Sequence, residues 1–154
     1  MDFVVSTIAE RYREVHEQLR QEISALDAAA LHWTPGAETN SVAVLIVHSL
    51  GSEAEVWWTV IGTPSQRDRP AEFVPRNAQI DILLARLDAA DTLVAELAPR
   101  ISQQDLQAIR PRGDRTPQTG LHWLITNYGH AREHLAHIQL TLQMYRQRNQ
   151  PPAS

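Results

Sequence analysis

The stretch QTGLHWLITNYGHAREHLAHIQLTLQMYR, residues 118–146, decides the fold. Its apolar residues recur at spacings of three and four, which is the period of one face of an α-helix. They are Leu121, Leu124, Tyr128, Ala131, Leu135, Ile138, Leu142 and Tyr145. An apolar stripe of this length has to be buried against other elements, and the rest of the chain indicates which elements those are.

Three further segments show the same helical period. The first begins near Asp2 and reaches residue 26, the second spans residues 41–61, and the third spans residues 78–98. No stretch shows the sustained alternation between turns that predicts strands, and RPRGDR at 110–115 is interpreted as a loop. We therefore predict an all-α, four-helix bundle domain over residues 1–146 and a flexible tail over residues 147–154.

The connections between these segments are long. Residues 62–77 hold three prolines and a glycine, more than a tight turn between neighbouring helices needs, so a crossover is expected there. Asn77 is suited to cap the third helix, as Asn40 and Ser41 are for the second. A short helical turn is expected near residues 103–106 in the next connection.

Composition excludes several classes of function. The net charge of −4 gives no basic surface for nucleic acid or an anionic membrane. The absence of cysteine excludes disulfides, thiolate ligands and a cysteine nucleophile, so a metal ion would have to be held by His, Asp or Glu. The longest apolar run, VAVLIV, is far too short to span a bilayer, and we expect a soluble cytoplasmic protein.

Three of the seven histidines fall within eight positions of the fourth segment. His130 and His134 have the i, i+4 spacing with which one helix can offer two imidazoles to one ion. His137 lies on the same side, but a role other than ligand is favoured for it. A solvated helix face explains the pair equally well from spacing alone.

His48 lies in VAVLIVHSL, the most apolar run of the chain. A histidine there is expected to be partly buried and to need a hydrogen-bond partner or a metal ion, and a core histidine bonded to the backbone is the simpler interpretation. If it met His130 and His134, three imidazoles would leave open positions on a divalent ion, as in catalytic sites. No spacing implicates His16, His32 or His122.

Other types of site fail on the residues present. A metalloprotease helix needs Glu directly after its first histidine, where this chain has Ala131. A di-iron bundle needs Glu three positions before its histidines, and none of the fourth segment's histidines has one. Glu55 lies seven residues after His48 and is interpreted as a surface carboxylate, although it could also orient a ligand or act as a base.

At these residues the chain resembles the DinB-like (DinB/YfiT) superfamily of four-helix metalloproteins, over about residues 3–146. LHWTPGAETNSVAVLIVHSLGSEAEVWW, residues 31–58, is similar to that family's entry into its second helix. HAREHLAHIQL, residues 130–140, is similar to its H-x-x-x-H segment on the last helix. The family often has glutamine three positions after the second of these histidines, where this chain has His137.

The resemblance implies an up-down-down-up bundle in which His48, His130 and His134 bind a divalent ion such as Zn²⁺, Ni²⁺ or Fe²⁺. Characterised relatives include thiol-dependent S-transferases and a mycothiol-dependent isomerase. We therefore predict a metal-dependent enzyme acting on a small molecule, of the class of transferases that use a low-molecular-weight thiol. A non-catalytic metal- or small-ligand-binding bundle is the alternative, followed by a purely structural bundle, and a homodimer is expected.

Overall fold

A computed structural model describes residues 2–74 and 78–149. Its described part is mostly helical, with one small sheet, so the all-α class is confirmed in that coarse form. The elements in chain order are α1 (Phe3–Ile23), α2 (Ala28–His32), α3 (Val42–Val60), α4 (Arg69–Glu72), α5 (Ile80–Leu97), a 3₁₀ turn (Ala98–Arg100), α6 (Gln103–Gln107), β1 (Ile109–Arg112), β2 (Arg115–Thr119) and α7 (Gly120–Arg148).

The four long helices share one hydrophobic core. Helix α3 packs against α7 and α5, and α1 packs against the same two helices. Every residue of the α7 stripe that was identified from sequence is buried or partly buried in this core. Side chains of Asp2, Ser41 and Thr119 accept hydrogen bonds from the first turns of α1, α3 and α7, so these helices begin at residues suited to capping.

The connection between α3 and α5 carries the short helix α4 and packs it against α3. Asp68 caps α4, and Pro70 lies in its first turn, where a missing N–H costs nothing. Glu72 at its end is buried although it is a carboxylate. The predicted cap Asn77 lies outside the described residues.

The prediction of a loop at residues 110–115 was wrong. Strands β1 and β2 pair antiparallel there, with Arg112 opposite Arg115 and the turn at Gly113. The strands are short and carry Arg and Pro in place of alternating apolar residues, so they have no periodic sequence signal. Tertiary contacts stabilise them instead, because the indole of Trp123 donates to the carbonyl of Arg110 at 2.9 Å.

The other expectations for the connections and ends have mixed outcomes. Helix α6 confirms the helical turn expected near residues 103–106. Helix α7 continues through Arg148, so the first residues of the predicted tail are helical, and residues 150–154 lie outside the described part. None of the helices described is both long and apolar enough to cross a membrane.

The packing of α6 against the start of α7 provides a test of the fold. A Cβ on Gly120 would lie 2.4 Å from the backbone oxygen of Asp105, which cannot move without displacing α6. We expect Gly120→Ala to lower the free energy of unfolding by about 1–3 kcal/mol, measured by urea denaturation.

Gly129 is the matched control, because it lies within the same helix and a Cβ there would meet nothing within 4 Å. Gly129→Ala should raise the free energy of unfolding by up to about 1 kcal/mol, since alanine favours helix. Equal effects of the two substitutions would contradict the close packing of α6 on α7.

Candidate metal centre

Two histidines of α7 lie together beside its apolar stripe. The Nε2 atoms of His130 and His134 are 3.0 Å apart, and both side chains are partly buried. Two nitrogens bound tetrahedrally at about 2.05 Å from one zinc ion would be about 3.3 Å apart, so the pair is close to the spacing of two ligands. The interpretation of this pair as a solvated helix face therefore does not describe the structure.

Helix α3 brings His48 to face this pair. The ring of His48 lies 5.2 Å, between centroids, from each of the rings of His130 and His134. One nitrogen from each of the three residues lies within 4.8 Å of the other two, and this group could hold a metal ion. His137 is exposed, with its ring centroid 5.8 Å from that of His134 and outside the group.

The environment keeps these imidazoles neutral. Burial lowers the pKa of His130 to about 4, aided by the positive charge that His134, His48, Arg112 and Arg67 can carry. Burial also lowers the pKa of His134 to about 4, and it lowers the pKa of His48 despite the adjacent Glu72. Neutral imidazole is the form that binds a metal ion, so the donor set fits a divalent cation at pH 7.

The three rings differ in their hydrogen-bond partners. The Nδ1 atoms of His130 and His134 are buried and have no hydrogen-bond partner among the described residues. His48 differs, because its Nδ1 lies 2.8 Å from Oε2 of Glu72. Because that contact occupies Nδ1, Nε2 is the nitrogen of His48 that could bind an ion.

Glu55 joins the two connecting segments at this side of α3. Its Oε2 accepts from Nη1 of Arg67 at 2.9 Å and from Nε of Arg112 at 2.8 Å. Arg67 belongs to the α3–α5 connection and Arg112 to β1. The interpretation of Glu55 as a surface carboxylate missed both partners, because they come from segments distant in sequence.

Arg112 extends this network into the core. Its Nη2 donates to the hydroxyl of Ser52 at 2.8 Å, and the side-chain amide of Asn127 donates to the same oxygen at 2.8 Å. The hydroxyl of Tyr12 donates to Oδ1 of Asn127 at 2.8 Å. Four elements, α1, α3, β1 and α7, are therefore linked one turn from His130.

A sequence model of the DinB superfamily matches residues 8–138. The chain belongs to the DinB superfamily. This confirms the family recognised from residues 31–58 and 130–140. No curated protein matches the chain.

The structure of this DinB-superfamily chain therefore brings His48, His130 and His134 together, and ligation of a metal ion by them stays a prediction. Of the histidines that spacing did not implicate, His32 and His122 are exposed. Sequence reasoning missed the charged residues around the triad, Arg67, Glu72 and Arg112. The buried carboxylate of Glu72 has no local signal, because the partners that explain it lie in α3 and the preceding loop.

His16 forms a second polar cluster, between α1, α3 and α5. Its ring is fully buried, with Nδ1 2.7 Å from Asp91 and Nε2 2.9 Å from Glu53. Burial would lower the pKa of His16, but the bonds to both carboxylates outweigh it and raise the pKa. Both ring nitrogens already have partners, so His16 has a structural role, linking three helices.

The histidine pKa values of the two clusters should be shifted in opposite directions in the metal-free protein. We expect NMR to show the imidazoles of His130 and His134 titrating near pH 4 and that of His16 titrating above 6.5. Unfolded histidines bind protons near pH 6.5, so the α7 pair lowers the free energy of unfolding as pH falls from about 6.5 toward 4.

The contribution of His16 has the opposite sign. Its stabilisation is complete below the unfolded pKa of about 6.5 and is lost as the pH rises through the raised folded value. If either histidine of the α7 pair titrated near pH 6.5, the pair would be solvated and the partly buried geometry would be contradicted.

Proposed function

We propose that this DinB-superfamily protein is a metal-dependent enzyme whose divalent ion is bound by His48, His130 and His134. The observation that carries the proposal is the convergence of three neutral imidazoles from two helices within 4.8 Å. Zn²⁺, Ni²⁺ and Fe²⁺ are all suited to this donor set. We further propose that the four long helices form an up-down-down-up bundle, which the long α3–α5 connection supports.

Three protein ligands favour catalysis over a purely structural role, because structural zinc sites use four. A divalent ion held there would lower the pKa of a bound thiol or water and so supply a nucleophile at neutral pH. The three imidazoles would hold that ion at the border of the apolar faces of α3 and α7.

A cavity of about 230 Å³ adjoins His130. Its lining includes Arg112 and Arg115 of the hairpin and Glu133 of α7. Charged groups of both signs next to a ligand position suit a small substrate with polar or ionised substituents. Transfer of a low-molecular-weight thiol to an electrophile is the reaction class that we propose, and a homodimer in the cytoplasm stays a prediction.

The first test is metal binding. We expect the purified protein to bind Zn²⁺ or Ni²⁺ in calorimetric titrations, and His48→Ala or His134→Ala to weaken binding by more than about 100-fold, since loss of a ligand exceeds the effect of an outer partner. His122→Ala is the control, because His122 is exposed and distant from the triad in α7. A folded wild-type protein that binds neither ion would overturn the proposed function.

The second test is turnover. We expect the metal-loaded protein to consume thiol when it is mixed with a panel of low-molecular-weight thiols and electrophiles, followed by thiol loss and product mass. His134→Ala should abolish the reaction, and chelation should do so reversibly. Tight metal binding without any metal-dependent reaction across the panel would favour the non-catalytic binding protein instead.

A further inference from the structure

We propose that Glu72 is a positioning residue of the metal centre. The α3–α5 connection places its carboxylate beside His48, Arg67 fixes that carboxylate with two hydrogen bonds, and Gly51 leaves the space that it occupies. This inference rests on the proposed metal binding by His48. It assigns a role to a connecting segment that lies outside the four long helices. Three independent contacts support it.

The first contact fixes the tautomer of His48. Oε2 of Glu72 lies 2.8 Å from Nδ1 of His48, and a carboxylate can only accept. Nδ1 therefore carries the ring proton, and the lone pair is on Nε2. Nη2 of Arg67, 3.3 Å from the same Nδ1, is then a neighbouring donor rather than a hydrogen-bond partner.

The second contact fixes the carboxylate itself. Nε of Arg67 donates to Oε1 of Glu72 at 2.6 Å, and Nη2 donates to Oε2 at 2.8 Å. This two-point pairing sets the plane of the carboxylate as well as its position. Nη1 of Arg67 is bound in turn to Glu55 on α3, so the arginine is anchored to the helix that carries His48.

The third contact is steric. A Cβ on Gly51 would lie 2.1 Å from Oε1 of Glu72 and 2.9 Å from its Cδ. Gly51 is in the middle of α3, where glycine is unfavourable relative to alanine. It lies three residues after His48, on the neighbouring turn of the same face, so the missing side chain is the space that the carboxylate occupies.

Together these contacts make the orientation of His48 depend on residues 67–72. A carboxylate that accepts from the second nitrogen of a ligating histidine fixes the ring and strengthens it as a donor. Coupling of this kind is reciprocal, so an ion bound at Nε2 of His48 would in turn stabilise the conformation in which residues 67–72 pack against α3. Slower hydrogen exchange of residues 67–73 in the presence of Zn²⁺ is therefore expected.

Glu72→Gln tests the role of the carboxylate. We expect it to weaken Zn²⁺ binding by about 10–100-fold, measured by competition with a chromophoric chelator. The amide can still accept from Nδ1 but lacks the charge and the paired bonds to Arg67. Glu10→Gln, which removes an exposed carboxylate from α1, should leave the affinity unchanged.

Gly51→Ala tests the steric argument separately. Its methyl group should displace Glu72 and weaken Zn²⁺ binding to a similar degree. If Gly51 acts through Glu72, the double variant G51A/E72A should bind no more weakly than Glu72→Ala alone, because no carboxylate or amide is then left for the methyl group to displace. Fully additive losses would overturn the assigned role of Gly51.

The outcomes separate this inference from the proposed function. A wild-type protein that binds no Zn²⁺ refutes the proposed metal centre. If the wild type binds and Glu72→Gln binds equally well, the positioning role is overturned while the metal centre stands. A Glu72→Gln variant with a lower urea midpoint but unchanged Zn²⁺ affinity shows a merely structural carboxylate and overturns the role as well.

Discussion

The packing of α3 on α7 is the interaction on which the candidate site depends. The apolar faces of these two helices are buried against each other, and this burial sets the rotation of both about their axes. His48 and the pair His130 and His134 lie at the border of those faces, so the hydrophobic contact determines that they meet. The site is thus a consequence of helix packing, which supplies far more free energy than any contact among the imidazoles.

The two histidine clusters differ in how their buried ring nitrogens are paired. Both ring nitrogens of His16 have carboxylate partners, although Oε1 of Glu53 has none among the described residues. The Nδ1 atoms of His130 and His134 are buried without partners in the described part of the chain, and the Nε2 atoms face each other. Oε1 of Glu53 and Nε1 of Trp57 are also buried without a partner there, so the convergence of three imidazoles, and not unpaired nitrogen, distinguishes the α7 cluster.

Sequence predicted the features that depend on local periodicity. The four long helices follow from spacings of three and four, and the proximity of His130 and His134 follows from their i, i+4 spacing. The hairpin could not be predicted, because Arg110 and Arg112 are held by contacts with α7 and α3 rather than by strand alternation. The burial of Glu72 could not be predicted from sequence either. It depends on Arg67 and on the absence of a side chain at Gly51, where a Cβ would clash with Glu72.

Glu55 gives the two connecting segments a common anchor. It binds Arg67 from the α3–α5 connection and Arg112 from the hairpin, so both segments are held at one point on α3 beside the triad. The long helices hold the three histidines, whereas the connections supply the partner of His48 and the charged wall of the cavity at His130. Loops on a rigid scaffold can change while the scaffold is kept. Within this architecture, the candidate ligands lie on the two packed helices, and their charged neighbours lie on the two connections.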